Sequence, residues 1–350
     1  MTPSERPHRS TESPLECTHC QYPIPGDPVD GDGGDYFCST ACLEAAEGEN
    51  TMPDPSAYKR IVTGVEPLDA LLPNGVPADS FVRLAGEAGT RRDELLTELV
   101  WRALERGEPA TVVTSTTPPT AVLERFFESG WNVLPALEDD RLRLVDCVTH
   151  RLADREAFLE RRGKWNEFVG EAAADAIVSV ESPDDRAAIR SALTETLDDL
   201  GMTGTGVVTI DSLGELERRF AADETDGGAA LLEFLATVRA TVCKARYVPI
   251  VAGSAPFRRV ADAERSSALR AAGADSRFDG IVDLRLVERR DTETRRCHLG
   301  VRKLAGARRL PQWLAYEYEP ARGLYALEST TERARSTGRD RRVEDVSNRH

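Results

Sequence analysis

Lysine is nearly absent from this 350-residue chain: it occurs only at Lys59, Lys164, Lys244 and Lys303, so arginine supplies almost all of the 45 basic residues. Against them stand 60 Asp and Glu, for a net charge of -15. That balance does not suggest a surface that attracts nucleic acid overall, though it leaves a local one open. It suits hydration in concentrated salt, where screening shortens electrostatic range to about 3 Å, and so predicts a halophilic cytoplasm; an acidic protein from a GC-rich genome that favours Arg codons is the other reading. Long hydrophobic runs are missing too. No segment approaches the ~20 apolar residues of a membrane span, and the polar N-terminal stretch has no signal-peptide core. The expectation is a soluble, cytoplasmic protein without membrane insertion. Hydrophobic residues still make up 40% of the chain, enough for a buried core. The seven cysteines, four of them crowded near the N-terminus, read as metal ligands plus isolated thiols and not as a disulfide framework.

Composition divides the chain. Residues 1–14 and 328–350 carry Pro, Ser, Thr and charge without periodicity, which predicts disordered tails. Residues 15–48 hold the crowded cysteines, 49–58 read as a linker, and 59–327 form a large domain. There, Phe81–Ala85 reads as a short apolar strand, followed by a glycine turn and then Leu95, Leu96, Leu99, Val100, Ala103 and Leu104 at helical spacing. Thr111–Thr114, Leu142–Val145, Val207–Ile210 and Pro249–Ala252 are further strand candidates. Ser182, Pro183 and Asp185 predict a helix start, with the helix running to about Leu200, and another helix is expected around Ala229–Lys244. Strands alternating with helices predict an α/β fold with a mostly parallel sheet covered on both faces. After residue 280 only strands follow, Ile281–Val287, His298–Lys303, Leu314–Tyr318 and Leu324–Leu327, which predicts an antiparallel extension of the sheet. No internal repeat is present.

Cys17, Cys20, Cys38 and Cys42 are spaced C-x2-C, 17 residues, C-x3-C. Four thiolates can surround zinc at about 2.3 Å, and two short-spaced pairs supply them. The text CTHC…YFCSTAC resembles the treble-clef zinc fingers of the TRASH and FCS type, whose second pair lies at the start of a short helix, here Ser39–Ala46. Such a zinc ion folds a module too small for its own core, or serves in metal sensing or transfer. His19 could compete for the metal. Cys147, Cys243 and Cys297 are isolated and read as core or surface residues.

From Ile61, the stretch IVTGVEPLDALLPNGVPADSFVRLAGEAGT resembles the opening of KaiC-like ATPases of the RecA superfamily, and the match continues in outline to about residue 327. The helix led by SPDD and the following VVTIDSL resemble the haloarchaeal, HTR-like branch. The resemblance implies a RecA-like P-loop fold and a site for ATP and Mg2+. A working loop reads G-x-x-x-x-G-K-[ST]: glycines let backbone N–H groups wrap phosphate, lysine reaches the terminal phosphates, and the hydroxyl binds magnesium. This chain reads Gly86, Glu87, Ala88, Gly89, Thr90, Arg91, Arg92, Asp93, so the second glycine, the lysine and the hydroxyl are replaced. Asp211, after the strand Val207–Ile210, stands where the family has its magnesium-side acid. Ser115, Thr116 and Thr117 stand where it has the acidic base. Lys303 is what remains of its Lys-x-Arg element, which touches a neighbouring subunit's nucleotide.

Gly86, Gly89, Arg92, Asp211 and Lys303 are therefore the candidate nucleotide ligands, and no catalytic residue is assigned. Several altered parts of one phosphoryl-transfer site predict little turnover. The expected function is regulatory or signalling: a pseudo-ATPase scaffold for a protein partner, with a nucleotide as a compatible ligand and a homo-oligomer left open. One alternative is a divergent active ATPase in which Arg92 substitutes for lysine. Another is a transcription-linked DNA-binding regulator acting through the finger and the tail residues Arg333, Arg335, Arg339, Arg341 and Arg342.

Overall fold

The computed structural model describes residues 15–19, 24, 26–31, 33–47, 59–151, 163–223, 227–255, 274–288 and 295–327; Cys20, the predicted linker and both predicted tails lie outside them. The chain divides into two compact units, Met1–Tyr58 and Lys59–His350.

In the first unit, β1 (Val29–Asp30) and β2 (Tyr36–Phe37) pair antiparallel, and α1 (Thr40–Glu47) follows at once. The turn between the strands is made by glycines, two of which, Gly33 and Gly34, have φ near +90°. Phe37 is buried. The helix begins one residue later than predicted because Ser39 lies outside it: its hydroxyl accepts from Cys42 N at 3.3 Å, satisfying a first-turn N–H.

The second unit opens with β3 (Arg60–Ile61), α2 (Glu66–Leu71) and β4 (Val76–Pro77). It continues through β5 (Phe81–Gly86), α3 (Arg92–Glu105), β6 (Ala110–Thr114), α4 (Pro119–Glu128), α5 (Leu134–Glu138) and β7 (Leu142–Asp146). Then come α6 (Gly163–Ala172), β8 (Ile177–Ser179), α7 (Arg186–Asp199), β9 (Val207–Ile210), α8 (Leu213–Asp223), α9 (Gly227–Val238) and β10 (Ile250–Ser254). It closes with β11 (Gly280–Glu288), β12 (Arg295–Leu304), β13 (Trp313–Glu319) and β14 (Gly323–Ala326). One ten-stranded sheet runs in the order β14-β13-β12-β11-β5-β10-β9-β6-β7-β8. From β11 to β8 every neighbouring pair is parallel, and β12, β13 and β14 are added antiparallel. This is the predicted α/β architecture with its antiparallel extension.

Alternation along the strands feeds two layers. Phe81 of β5 packs into a core with Ile189 and Leu193 of α7, Phe220 of α8 and Phe234 of α9. Its neighbours Val82 and Leu84 point the other way, against Leu68 of α2 and Leu95 and Leu99 of α3. The β13–β14 hairpin docks on α3 through a buried carboxylate. Glu98, with a fully buried side chain, accepts from Leu324 N at 2.7 Å and from Arg102 Nη2 at 3.0 Å. Gly323 is required beside it: its φ is +89°, and a Cβ there would lie 2.2 Å from Glu98 Oε1.

Two predicted boundaries move. The helix expected from Ser182 starts at Arg186, because the chain turns first (Asp185 N to Ser182 O, 3.0 Å) and the Asp185 carboxylate is the cap, accepting from Ala187 N at 2.7 Å. The helix expected over Ala229–Lys244 is α9, continued as a π-helical turn over Arg239–Lys244. No helix among the described residues is long and apolar enough to cross a membrane.

Candidate functional site

The C-terminal ends of β5, β10, β9 and β6, consecutive in the sheet, bring the candidate residues to one edge. Gly86 ends β5, and after five loop residues α3 begins at Arg92. The loop closes on itself: Thr90 N and Oγ1 donate to Glu87 O at 3.2 and 2.6 Å. Gly86 faces the fully buried Thr90, and a Cβ on it would lie 2.7 Å from Thr90 Oγ1. Gly89 has φ +86° and Arg91 φ +56°. Arg91, standing where the P-loop pattern has its second glycine, thus holds the left-handed backbone that favours glycine, at a cost of about 1–2 kcal/mol. Its guanidinium is drawn to Glu94 at 2.8 Å, a bond that raises its pKa, and lies 5.8 Å from the Tyr318 ring. Strands β13, β12 and β11 grip the loop from outside. The Tyr316 hydroxyl donates to Thr90 O, Cys297 Sγ to Gly89 O at 3.6 Å, and Leu286 N to Glu87 Oε1 at 3.0 Å.

Arg92, the expected phosphate-facing cation, is engaged by protein. Its Nη1 donates to Ser254 O at 3.2 Å, while Nε and Nη2 donate to Asp93 Oδ1 at 3.1 and 3.0 Å. A second arginine clamps the same strand end. Arg83 of β5, fully buried, donates through Nε to Ser254 Oγ at 2.8 Å and through Nη2 to Ala255 O at 3.3 Å; burial pulls its pKa down.

Asp211 lies two strands from Gly86, roughly 10 Å across the sheet, and its carboxylate is filled by the adjacent strand end. Oδ1 accepts from Ser115 N at 2.8 Å and from the Ser115 hydroxyl; Oδ2 accepts from Thr116 N at 2.8 Å, Thr116 Oγ1 at 2.7 Å and Thr117 N at 3.3 Å. The residues that stand in place of the family's acidic base therefore enclose the acid expected to face magnesium. Ser115 is held in turn by the buried Arg219 of α8, which donates to Ser115 O and, at 2.5 Å, to Cys147 O. Cys147 itself is an inert core thiol, its pKa pushed up to about 12 by burial.

Lys303 does not join this edge. It pairs in register with Ile281, which lies level with Arg83, three residues before Gly86. Its Nζ is bound to Asp275 O at 3.0 Å and Phe278 O at 2.6 Å, so in its own chain it is a structural tie. Of the candidate ligands, Gly86, Gly89, Arg92 and Asp211 are brought together and Lys303 is not. Sequence reasoning missed Arg83 and Arg219, since nothing in a single sequence marks an arginine as turned inward, and Arg125, which only the fold brings to the loop; the apolar run around Arg83 was the one available signal.

In the first unit the sulfurs of Cys17, Cys38 and Cys42 lie within 4.8 Å of one another, with Cys38 Sγ and Cys42 Sγ 3.5 Å apart. Tetrahedral thiolate ligation of zinc needs sulfurs about 3.8 Å apart, so the three fit such an ion. The strand end after β2 supplies Cys38, the first turn of α1 supplies Cys42, and the bond Thr18 N to Tyr36 O (2.8 Å) brings Cys17 alongside. His19 is not part of the cluster.

A mostly parallel sheet with a glycine loop leading into a helix, and an acid ending a strand two places away, is the layout of P-loop α/β domains. Residues 61–329 match the family described as "ATPase: KaiC", and the chain belongs to that family. Among curated relatives, a UPF0273 protein of Methanopyrus kandleri is 33% identical over 93 residues, covering 27% of this chain and 37% of its own length. One from Aeropyrum pernix is 25% identical over 154 residues, 44% of this chain and 55% of its own. The chain thus spans about half or less of the length of these relatives. A KaiC-like protein from Pyrococcus horikoshii superposes with a TM-score of 0.55 at 16% identity, covering 77% of this chain and all of that one, which is a similarity of fold.

Proposed function

We propose that this protein is a regulatory or signalling member of the KaiC family, in which the ATPase site has become a scaffold and a zinc-binding treble-clef module supplies a second surface for a protein partner. The observation that carries this reading is the enclosure of Asp211. Phosphoryl transfer depends on charge positioned around phosphates and magnesium. Here the one acid at the magnesium position accepts five protein hydrogen bonds, and the residues donating them occupy the place of the base. Arg92 and Asp93, at the positions of lysine and hydroxyl, are satisfied by each other. The chain retains groups that could hold a nucleotide without turning it over, Gly86, Gly89 and the start of α3. ATP with Mg2+ is in this reading a regulatory ligand at most.

Cys17, Cys38 and Cys42 would hold the zinc, with Cys20 as the fourth thiolate; the ion's chemistry there is structural, joining strand end to helix. The distinguishing test is the nucleotide-free stability of Asp211→Ala. As the anchor of a strand-end network, its loss leaves the Ser115 and Thr116 N–H groups without their acceptor, while the Ser115 hydroxyl keeps Ser212 O at 3.1 Å, and costs about 2–3 kcal/mol. A magnesium ligand has no such role: a variant as stable as the wild type, together with magnesium-dependent ATP turnover in the wild type, would establish the divergent ATPase instead.

A further inference from the structure

Asp93, at the P-loop position of the hydroxyl, lies between two arginines. Asp93 Oδ1 receives Arg92 Nε and Nη2 at 3.1 and 3.0 Å, and Oδ2 lies 3.8 Å from Arg125 Nη2, which reaches across from α4. Arg125 Nη2 also donates to Thr117 Oγ1 at 3.3 Å, and Thr117 N donates to Asp211. Loop, carboxylate and strand end are thus one network: Arg92, Asp93, Arg125, Thr117, Asp211. Asp93 is the only carboxylate that the described contacts place against either Arg92 or Arg125. The side chains of all three remain accessible, at 24, 40 and 32% for Arg92, Asp93 and Arg125.

We propose that Asp93 is a built-in occupant of the phosphate cradle, a carboxylate that weakens phosphate binding by charge, and that Arg92 and Arg125 are a polyphosphate-binding pair whose affinity it holds down. This deepens the reading of the loop as an altered nucleotide site and rests on it. A carboxylate between two guanidiniums cancels one of their two positive charges and repels a phosphate at contact distance. Arg125 lies outside the loop motif, and only the fold brings it to Asp93.

The test is calorimetric titration with inorganic pyrophosphate of the wild type, Asp93→Ser, Asp93→Asn and the double variant Asp93→Ser/Arg125→Gln, each checked for a native circular-dichroism spectrum. Asp93→Ser restores a hydroxyl where the family has one, and Asp93→Asn keeps the side chain's shape without its charge. Both single variants gain at least about tenfold in affinity, and the double variant loses the gain. Equal binding by wild type and single variants would overturn the proposal, as would a gain that survives loss of Arg125. Failure of the underlying reading is distinguishable, because it appears in the wild type alone, as ATP turnover.

Discussion

Arg91 carries a backbone conformation that its side chain opposes. Its φ of +56° belongs to the loop's path and not to arginine, and the ion pair with Glu94 at 2.8 Å is exposed enough to return only a few tenths of a kcal/mol. Replacing it with valine, whose branched Cβ tolerates this region worst, lowers stability by about 1–2 kcal/mol. Arg91→Gly stays within about 0.5 kcal/mol of wild type, since relieved strain is offset by a freer unfolded chain; urea denaturation of both variants measures the difference. Much of the site at this scale was readable beforehand. The replaced loop positions and Asp211 follow from the resemblance to the KaiC-like opening, with the strand ahead of the acid in support. What surrounds Asp211 did not follow, because its partners Ser115 and Thr116 are 96 and 95 residues away in sequence and meet it only where β6 and β9 end side by side. The surroundings of Lys303 did not follow either: its register puts it level with Arg83, and its Nζ ties to Asp275 O and Phe278 O of its own chain.

Among the elements, α3 links the site to the sheet extension. Its N-terminus carries Arg92 and Asp93, and one side of its middle binds the β13–β14 hairpin through Glu98. Burial raises the pKa of Glu98 above its ordinary 4.5, against the opposing pull of Leu324 N–H and Arg102. A carboxyl whose folded pKa is raised binds more protons folded than unfolded, so the stability it contributes is full below about pH 4.5 and declines as the pH rises through its folded pKa. Glu98→Gln abolishes that decline, and comparing thermal melts of both proteins across the acidic range measures it; a wild-type profile parallel to the variant's would refute the assignment. Strands were the most readable elements, since Val207–Ile210 and Phe81 onward are short apolar runs between turn residues. Helices α4 and α8 were not anticipated. Each is short, and the buried Arg219 on α8 interrupts the apolar face that periodicity would have used.

Across the whole molecule, the two compact units predict separable stabilities. Among its described residues the first has a two-stranded hairpin and one helix, little apolar burial for a fold of its own, so under the proposed zinc binding its order would depend on the metal. Cys38→Ser lowers bound zinc from one per chain to none and removes the first unit's structure, while the main melting transition of the second unit is unchanged; zinc quantification with calorimetry checks both. The architecture of the second unit was readable from alternation alone, because a parallel sheet with two helical layers is what buried strands between amphipathic helices form. The proposed departure from ATPase chemistry was readable only as a set of altered letters, and in the fold the groups at those positions, Arg92 with Asp93 and Asp211 with Ser115 and Thr116, bond to one another. The most direct test of that claim is ATP hydrolysis with Mg2+ at high salt by the wild type and by Asp211→Asn. The account predicts no turnover above the protein-free rate in either; magnesium-dependent turnover by the wild type that falls on Asp211→Asn would contradict it.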